Sequence, residues 1–497
     1  MTVSAAALLN SWPELTNEPR LNAITPKGLV LDSRQVRLGD AFCAVPGAQV
    51  DGRRFIDNAL AAGCSLVLAE GERPSLEWHG AVPVVSVPSL SRCLSELAAN
   101  FYGHPARALS VFAVTGTNGK TTCSHLYAQL RQLAGEACGV IGTLGYGVIG
   151  QPLKHTGLTT PDAVTTQAIL AEFKADGIDR VSMEASSHSL DQGRMAAVPV
   201  ETALYTNLSR DHLDYHGDMA SYGQSKWQLF TRPELKQAVI NLDDAVGKQW
   251  AADYRGAGEL LTYSITELSA DVAVTDVDYW AGGARAQLRT PWGSAPIESP
   301  LIGSFNLSNL VGVLAAELAE TQSLSQVAER VAQLQPVAGR MQTIAGTPAV
   351  ATVVVDYAHT PDGLEQALLA LRQHCNGQLW CLFGCGGDRD PGKRPEMAAI
   401  AERLADRVVV TNDNPRTESP VQILNHILEG FHAPENVLVE LDRVRAIALA
   451  IRQAAPEDLV LVAGKGHEDY QLIGDQRLNH SDLEVCTHTV QQLGQNQ

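Results

Sequence analysis

The sequence predicts an α/β protein with three domains. At 497 residues the chain is too long for one hydrophobic core. Short apolar stretches alternate with helical patterns, which favours parallel sheets covered by helices. One such stretch runs at residues 111–122 through a glycine-rich loop into a helix. We therefore predict a small α/β domain at 1–107, a central P-loop ATPase-like domain with a parallel sheet at 108–337, and a Rossmann-like doubly wound domain at 338–497.

The composition is that of an ordinary globular protein. Hydrophobic residues make up 45% of the chain and charged residues 19%. The formal net charge of −18 argues against a general affinity for nucleic acid or an anionic membrane. No Lys or Arg precedes Arg20, so we identify no signal peptide. The nine cysteines form no C-x-x-C pair, which is typical of a reducing compartment. We expect a cytoplasmic monomer that binds small molecules.

The first domain is predicted from short apolar runs. Residues 30–34 and 40–45 are predicted as strands, residues 55–62 as a helix and residues 65–69 as a further strand. Its small glycine-containing loops suit contact with a ligand. The residues alone do not identify that ligand, and the triplet at 32–34 is by itself more typical of a turn with a solvated charge.

The second domain is organised around the segment Thr115-Gly-Thr-Asn-Gly-Lys-Thr-Thr122. Leucines 126, 130 and 133 recur on one face of the helix that follows, and Gly135 stands at the expected C-cap. The helix N-terminus therefore faces the glycine loop, where free N–H groups favour an anion. We predict that Lys120 reaches the β- and γ-phosphates and that Thr121 holds Mg²⁺. The alternative is a glycine-rich turn that binds nothing.

Two later strands of this domain end in polar residues. A strand at 180–185 places Glu184 near its carboxyl end, which is where α/β sheets bind ligands. A strand at 201–206 runs into the loop 207–216, whose Asp and His residues suggest metal or phosphate chemistry. The alternative is a surface loop that bonds its own backbone. Lys226 lies in a predicted helix at 219–230, where a lone lysine is usually solvated.

The third domain alternates strands and helices. Strands are predicted at 352–355, 378–383, 407–411 and 459–462. Three of them end in charged or glycine-rich loops at 384–390, 412–416 and 463–468. The first loop lacks the third glycine of a dinucleotide-binding motif. From the residues alone we infer an NTPase that couples ATP to the joining of two other molecules, without fixing the reaction. A nucleotide-binding switch or scaffold without ligase activity is the alternative.

Five motifs together resemble the Mur ligase family of ATP-dependent amide-forming enzymes. These motifs cover nearly the whole chain in order, at residues 115–122, 184–188, 207–214, 356–362 and 464–468. The segment Asp413-Asn-Pro-Arg416 is similar to the signature of members that add meso-diaminopimelate to UDP-N-acetylmuramoyl-L-alanyl-D-glutamate. The resemblance implies that the D-glutamate carboxylate attacks the γ-phosphate of ATP and that an amine then displaces phosphate from the acyl phosphate. The rivals are an L-lysine-adding member and a folylpolyglutamate-type ligase.

The resemblance also assigns residues to each ligand. The catalytic set is Lys120, Glu184, His212 and Lys226. ATP is assigned to Gly116, Thr117, Asn118, Gly119, Lys120, Thr121, Thr122, Asn306, Asn309, Arg340 and Asp356. The UDP-precursor is assigned to Leu31, Ser33, Gln49, Leu158, Thr159, Thr160, Ser186, Gln192 and Arg194. Diaminopimelate is assigned to Arg389, Asp413, Asn414, Pro415, Arg416, Gly464 and Glu468.

The implied cofactors are ATP, Mg²⁺ and a carbamate. The resemblance assigns Mg²⁺ to Thr121, Glu184 and His212, and to a CO₂-derived carbamate on Lys226, which makes this residue N6-carboxylysine. Carbamate formation requires an uncharged amine and hence a lowered pKa. Arg416 is expected to bind the second carboxylate of diaminopimelate through two parallel hydrogen bonds, because lysine lacks that group.

Overall fold

The structure, a computed structural model, describes residues 3–47, 50–280, 283–346 and 348–495. Its first sheet has the order β1-β2-β3-β5-β4, with β4 antiparallel to the other strands. The strands are β1 (Leu29–Val30), β2 (Ala41–Ala44), β3 (Leu66–Glu70), β4 (Ser75–His79) and β5 (Val82–Val87). The helices around them are α1 (Ala5–Leu8), α2 (Pro13–Thr16), α3 (Ile56–Ala61) and α4 (Leu90–Phe101).

One predicted strand of this domain is wrong. The strand expected at 30–34 ends at Val30, and a single 3₁₀ turn follows at Ser33–Gln35. The cause is Asp32, whose carboxylate accepts the backbone N–H of Arg34 at 3.0 Å. This local bond offers the backbone a turn in place of a sheet ladder. The other three elements lie within two residues of their predicted bounds.

The second sheet has the order β15-β14-β13-β12-β11-β10-β6-β9-β7-β8. Its strands from β13 to β7 in this order are parallel. At the edges β8 pairs antiparallel with β7, β14 with β13, and β15 with β14. The strands are β6 (Ser110–Thr115), β7 (Cys138–Gly142), β8 (Gly145–Val148), β9 (Arg180–Glu184), β10 (Thr202–Tyr205), β11 (Gln237–Asn241), β12 (Glu259–Ser264), β13 (Val272–Trp280), β14 (Gly283–Thr290) and β15 (Gly293–Ser299). The helices are α5 (Lys120–Leu133), α6 (Ala163–Ala175), α7 (Ser187–Asp191), α8 (Leu213–His216), α9 (Met219–Trp227), α10 (Ala245–Asp253), α11 (Ser304–Thr321) and α12 (Leu324–Val331).

Alternation along β6 explains why this sheet is covered on both faces. Phe112 and Val114 belong to the apolar core shared with α5 and α11, whereas Val111 and Ala113 belong to the core shared with α6. Successive residues of a strand point to opposite faces, so a continuous apolar run is buried on both sides. The predicted apolar face of α5 is correct for its first two leucines, but Leu133 is 38% exposed.

The third sheet has the order β16-β17-β21-β18-β19-β20, with only β16 antiparallel among the described strands. Its strands are β16 (Gln342–Ile344), β17 (Thr352–Asp356), β18 (Leu379–Phe383), β19 (Arg407–Val410), β20 (Leu438–Val439) and β21 (Leu459–Ala463), followed by a hairpin of β22 (Tyr470–Ile473) and β23 (Gln476–Asn479). The helices are α13 (Pro361–Arg372), α14 (Lys393–Leu404), α15 (Pro420–Leu428), α16 (Arg443–Gln453) and α17 (Asp482–Gln495).

The predicted α/β class with a doubly wound third sheet is confirmed. Helices α13, α14 and α15 share one core with this sheet, and α16 and α17 share the core on its other face. The three sheets lie within the predicted domains 1–107, 108–337 and 338–497, whose ends stay predictions. Within the described residues, no helix is both long and apolar enough to cross a membrane.

A buried ion pair holds the last helix to the third sheet. Arg443 Nη2 lies 2.6 Å from Asp482 Oδ2, and both side chains are 0% exposed. Burial alone would raise the pKa of Asp482, but the adjacent guanidinium of Arg443 holds that pKa well below its usual range. Arg443 also donates to the carbonyl of Ala463, at the end of β21.

We expect Arg443→Ala to lower the free energy of unfolding by about 3–5 kcal/mol, because it removes the guanidinium from the buried Asp482 carboxylate and leaves it bonded to the ring of His480, at 2.7 Å. Arg445→Ala is the matched control on the same helix, since Arg445 is 77% exposed in its pair with Asp442. That variant should lose no more than about 1 kcal/mol. Urea unfolding followed by fluorescence measures both variants. Equal losses would contradict the structural role given to the buried pair.

Candidate active site

The phosphate loop lies between β6 and α5, as predicted. The helix begins at Lys120, and Gly119 before it has φ +88°. A Cβ atom on Gly119 would lie 2.4 Å from Oδ1 of Asn309, and one on Gly116 would lie 1.9 Å from Oγ1 of Thr206. Both positions therefore require glycine, because a side chain would collide with a neighbouring element. Thr117, Asn118, Thr121 and Thr122 complete the loop and the first helical turn.

Two lysines converge on one carbonyl of this loop. Lys120 Nζ donates to the carbonyl oxygens of Gly116 and Thr117 at 2.9 and 2.8 Å. Lys226 Nζ donates to the same Gly116 oxygen at 2.7 Å. Lys226 is 1% exposed, so the general expectation of a solvated helical lysine is wrong here. Burial, followed by the charge of Lys120, lowers the pKa of Lys226 well below its usual value, and burial also lowers the pKa of Lys120.

Three predicted metal ligands surround the loop. Glu184 is 1% exposed and accepts the backbone N–H of Thr143 at 2.9 Å. Thr121 lies in the first turn of α5 and is 4% exposed. The ring of His212 lies 4.9 Å from that of His188, and its pKa is lowered by burial.

These donors fit Mg²⁺ rather than a metal held by a complete protein cage. Among the described residues, no three His, Cys, Asp or Glu side chains form a group that could hold a metal ion. Mg²⁺ is usually bound by one or two carboxylates together with substrate phosphates and water. A buried carboxylate on Glu184 beside a phosphate loop therefore suits this ion.

The loop after β10 pairs with the phosphate loop. Asn207 Oδ1 accepts the backbone N–H of Asn118 at 2.9 Å, and Thr117 Oγ1 accepts the backbone N–H of Ser209 at 3.0 Å. Asp211 instead accepts the backbone N–H of His212 at 2.9 Å. The start of this loop therefore braces the phosphate loop, and Asp211 bonds its own backbone as the surface-loop alternative expects. Metal or phosphate chemistry on this loop stays a prediction.

A cleft of about 430 Å³ opens between the second and third sheets. Asn118, Asn309 and Arg340 line it together with Asp356 and Asp362. This volume lies within the range of small-ligand sites. Asn306 is 3% exposed, and its amide donates to the carbonyl of Ile302 at 2.9 Å.

Arg340 joins the third sheet to the phosphate loop. Its Nη2 donates to Oγ1 of Thr121 at 3.2 Å, and its guanidinium lies 4.6 Å from the centroid of the Tyr357 ring. Asp356 shapes the loop beside it by accepting the backbone N–H groups of Met341 and Ala358 at 2.7 and 2.8 Å. Burial raises the pKa of Asp356, and the charge of Arg340 opposes this rise.

Asp362 was not among the predicted site residues. Its Oδ2 accepts Nδ2 of Asn118 at 2.8 Å and Oγ of Ser209 at 3.0 Å. The Asp362 carboxylate, in the first turn of α13, therefore bonds both the phosphate loop and the loop after β10. The motif at 356–362 contains this residue, but only the fold brings it to Asn118.

The residues assigned to the muramoyl-peptide portion come together beside Glu184. Arg194 donates to Oε1 of Gln192 at 2.9 Å and to the carbonyl of Thr160 at 2.8 Å. Thr160 Oγ1 donates to the carbonyl of Glu184 at 2.6 Å and accepts the N–H of Ser186 at 3.1 Å. Thr143, which sequence reasoning missed, donates its hydroxyl proton to the Glu184 carboxylate at 3.1 Å and accepts from the hydroxyl of Thr159 at the same distance.

The residues assigned to uridine belong to the first domain. Leu31 and Ser33 follow β1 in the first domain, and Gln49 lies outside the described residues. Within the described ranges, no hydrogen bond joins Leu31 or Ser33 to the group around Arg194. Leu158 is 47% exposed. The first and second domains meet at α4, where Ser95 Oγ donates to the carbonyl of Arg194 at 3.3 Å.

The loops at 384–390, 412–416 and 463–468 come together at the third sheet. They contain the residues assigned to diaminopimelate, the amine acceptor, and are the acceptor loops. Asn414 Nδ2 donates to Oε2 of Glu468 at 2.9 Å. Gly464 has φ +116°, and a Cβ there would lie 2.5 Å from Oδ2 of Asp413. Arg416 Nη1 donates to the carbonyl of Gly387 at 2.8 Å. Pro415 is buried between them, whereas Arg389 is exposed.

The chain between the second and third sheets passes against one of these loops. Gly339 has φ +64°, and a Cβ on it would lie 2.1 Å from the backbone nitrogen of His467. Gly466 has φ +52°, and a Cβ on it would lie 2.6 Å from the carbonyl oxygen of Gly339. The two glycines allow backbone to pack directly on backbone.

A phosphate loop, a nucleotide-sized cleft and charged loops on a third α/β sheet define a class of multidomain nucleotide-dependent ligases. Family models agree with this class over three segments. Residues 25–102 match the model described as Mur ligase family, catalytic domain, residues 114–317 match the Mur ligase middle domain, and residues 339–466 match the Mur ligase, glutamate ligase domain. The chain belongs to the Mur ligase family.

Relatives resemble the chain over nearly its full length. It is 51% identical over 92% of its residues, and over 93% of the relative, to the "UDP-N-acetylmuramoyl-L-alanyl-D-glutamate--2,6-diaminopimelate ligase" of Ectopseudomonas mendocina. A solved structure with the same enzyme name is 38% identical, with a TM-score of 0.70 and full coverage of both chains. The MurF ligase of Thermotoga maritima in complex with ADP shares the fold at 20% identity, with a TM-score of 0.64 over 95% of this chain and 98% of that one.

We expect Gly119→Ala to weaken ATP binding by at least about tenfold, because the new methyl group would collide with Asn309 and displace the loop. Gly135→Ala is the matched control at the other end of α5. Gly135 has nearly the same φ, +85°, but nothing lies within 4 Å of its added Cβ. Calorimetric titration with a non-hydrolysable ATP analogue measures both variants. The same ATP affinity in both variants would contradict the collision with Asn309.

Proposed function

We propose that this protein is an ATP-dependent amide ligase that adds meso-diaminopimelate to the D-glutamate of UDP-N-acetylmuramoyl-L-alanyl-D-glutamate. The observation that carries the proposal is the near-full-length similarity to a curated relative named for this reaction. The products are the tripeptide precursor, ADP and phosphate. We further propose that the enzyme acts as a cytoplasmic monomer in peptidoglycan precursor synthesis.

The first step joins two anions, because the D-glutamate carboxylate attacks the γ-phosphate of ATP. Lys120 and the N-terminus of α5 compensate the charge that develops on the transferred phosphoryl group. Mg²⁺ would be held by Thr121, Glu184, His212 and the carbamate of Lys226, and when bound it neutralises phosphate charge. Arg340 bonds Thr121, which supports the contact with the nucleotide that we assign to it.

The burial of Lys226 supports its proposed carbamate. Only an uncharged amine reacts with CO₂, and the lowered pKa of Lys226 keeps a larger fraction of the side chain uncharged near neutral pH. The carbamate would be an anion between the cations of Lys120 and the metal. It would therefore relieve the repulsion between the two lysines that share the Gly116 carbonyl.

The precursor is proposed to lie across the first and second domains. The donors and acceptors assigned to its muramoyl-peptide portion are Leu158, Thr159, Thr160, Ser186, Gln192 and Arg194. Their position beside Glu184 would direct the D-glutamate carboxylate towards the phosphate loop. Leu31, Ser33 and Gln49 are assigned to uridine by the resemblance.

The second step requires an amine to reach the acyl phosphate. We assign diaminopimelate to the acceptor loops, where Arg416 offers a planar guanidinium for the carboxylate that lysine lacks. Arg389, Asp413, Asn414, Pro415, Gly464 and Glu468 complete the proposed pocket. A closed cleft would exclude water and protect the acyl phosphate from hydrolysis.

The rivals have less support. A lysine-adding member would not require Arg416, and the relative named above adds 2,6-diaminopimelate according to its name. A folylpolyglutamate-type ligase would use a similar phosphate loop, but the Asp413-Asn-Pro-Arg416 segment favours a diamino acid with two carboxylates. A nucleotide switch without ligase activity would have no use for such an acceptor pocket.

The proposal is tested by phosphate release from ATP and Mg²⁺ with the UDP-precursor. The reaction is offered meso-diaminopimelate, L-lysine or no amine, and the tripeptide product is followed by mass. We expect release and product with diaminopimelate only. Unpaired Arg416 in a desolvated pocket should disfavour lysine by at least about 100-fold in kcat/KM. Turnover with lysine would overturn the role given to Arg416, and no turnover with either amine would contradict the proposed reaction.

We expect Lys226→Ala to abolish nearly all turnover, because it removes the proposed carbamate. A small carboxylic acid such as acetate should restore part of the activity by filling the space with an anion. Lys236→Ala is the control, since Lys236 is 71% exposed in an ion pair with Glu201. Initial rates with and without the acid measure the effect. Full activity of Lys226→Ala without the acid would rule out this lysine as a metal ligand.

A further inference from the structure

The acceptor pocket contains a buried cation that has no assigned role. Lys465 is 0% exposed, and its Nζ donates to Oδ1 of Asn414 at 2.9 Å and to Oε2 of Glu468 at 3.0 Å. Asn414 Nδ2 donates to the same Glu468 oxygen at 2.9 Å. Three side chains therefore form a closed ring of hydrogen bonds. A buried charge is retained only where it is paired and hydrogen-bonded, as this one is.

This ring fixes the orientation of the Asn414 amide. Its Oδ1 accepts from Lys465 and also from the backbone N–H of Leu472 at 2.9 Å. Two donors on one oxygen leave Nδ2 to face Glu468, so the amide cannot be flipped without losing all three bonds. Because Asn414 precedes Arg416 by two residues, the orientation of the acceptor loop depends on this amide.

The ring also determines which oxygen of Glu468 is left for a ligand. Oε2 accepts from both Lys465 and Asn414. Across the part of the chain that the structure describes, no donor bonds Oε1 of Glu468. A carboxylate held at one oxygen presents the other in a fixed direction, as recognition of an ammonium group requires.

We propose that Lys465 is a positioning residue that sets Glu468 and Asn414 for the incoming diamino acid and contributes to its discrimination from lysine. The inference rests on the proposed function and adds a determinant of acceptor specificity to it. The pocket residues and Lys465 together carry three cations, on Arg389, Arg416 and Lys465, and two carboxylates, on Asp413 and Glu468. Removing Lys465 makes the pocket more negative by one charge.

The loss of the positive charge on Lys465 predicts a change in the preference between diaminopimelate and lysine. Diaminopimelate has two ammonium and two carboxylate groups, whereas lysine has one carboxylate fewer and a net positive charge. A pocket that has lost one buried cation should favour the more cationic amino acid relative to its neutral competitor. A merely structural lysine would affect both acceptors alike.

The test is Lys465→Met in the full-length enzyme with ATP, Mg²⁺ and the UDP-precursor. We expect the KM for diaminopimelate to rise at least about tenfold and the preference for diaminopimelate over lysine to fall by a similar factor. The KM values for ATP and the UDP-precursor should stay within about twofold. Lys465→Met/Glu468→Gln restores the charge balance and should recover part of the preference but not the affinity.

Arg477→Met is the matched control. Arg477 and Lys465 both approach the ring of Tyr470, at 4.2 and 5.5 Å, but Arg477 is 64% exposed and pairs with Asp469. This variant should leave the acceptor preference unchanged. Trapping of the acyl phosphate without an amine reports whether Lys465→Met still folds and completes the first step.

The outcomes separate the two proposals. If the wild-type enzyme gives no product with diaminopimelate, the proposed function fails. If it does, and Lys465→Met forms the acyl phosphate with an unchanged KM and preference for diaminopimelate, the positioning role is wrong. If only the double variant forms the acyl phosphate, its KM for diaminopimelate decides: a raised value supports the positioning role, and an unchanged value overturns it. Loss in both would identify a structural role and overturn the inference.

Discussion

The site depends on one backbone carbonyl that accepts two ammonium groups. Lys120 and Lys226 both donate to the oxygen of Gly116, at 2.9 and 2.7 Å. The arrangement brings like charges together in a buried place, which is unfavourable unless an anion is nearby or one amine is uncharged. The loop is therefore built for an anionic ligand. The close packing of Gly116 and Gly119 and the bonds to the loop after β10 hold this carbonyl in place.

A second feature of the structure is that the phosphate loop and the acceptor loops lie on different sheets. The second sheet carries the phosphate loop and the third carries the acceptor loops, so the phosphate loop and the proposed amino-acid pocket lie on separate sheets. Side chains join them beside the phosphate loop, through Arg340 to Thr121 and through Asp362 to Asn118 and Ser209. His374 joins them at a further place, where its ring bonds the carbonyl of Trp280 at 2.8 Å. Parallel strands suit this plan because their carboxyl ends place several loops at one edge of each sheet.

Local signals in the sequence predicted much of this arrangement. The strand, glycine loop and helix at 111–122 are adjacent in the chain, so their geometry is determined locally. The predicted strand at 30–34 is wrong because the carboxylate of Asp32 accepts the backbone N–H two residues ahead. This hydrogen bond competes with those of a sheet. Asp362 and Asn118 are separated by 244 residues, and no local pattern indicates their contact. The ring around Lys465 was missed for the same reason, although its motif was identified.

The contact between Gly339 and Gly466 links the geometry of two parts of the enzyme. Gly339 belongs to the connection into the third sheet, and Gly466 belongs to the loop that carries Lys465 and Glu468. Where backbone contacts backbone directly, no flexible side chain can absorb a displacement, so a movement of one segment also moves the other. A rotation of the third sheet about its connection would thus also shift the acceptor loop. This contact would couple the relative orientation of the second and third domains to the shape of the proposed amino-acid pocket.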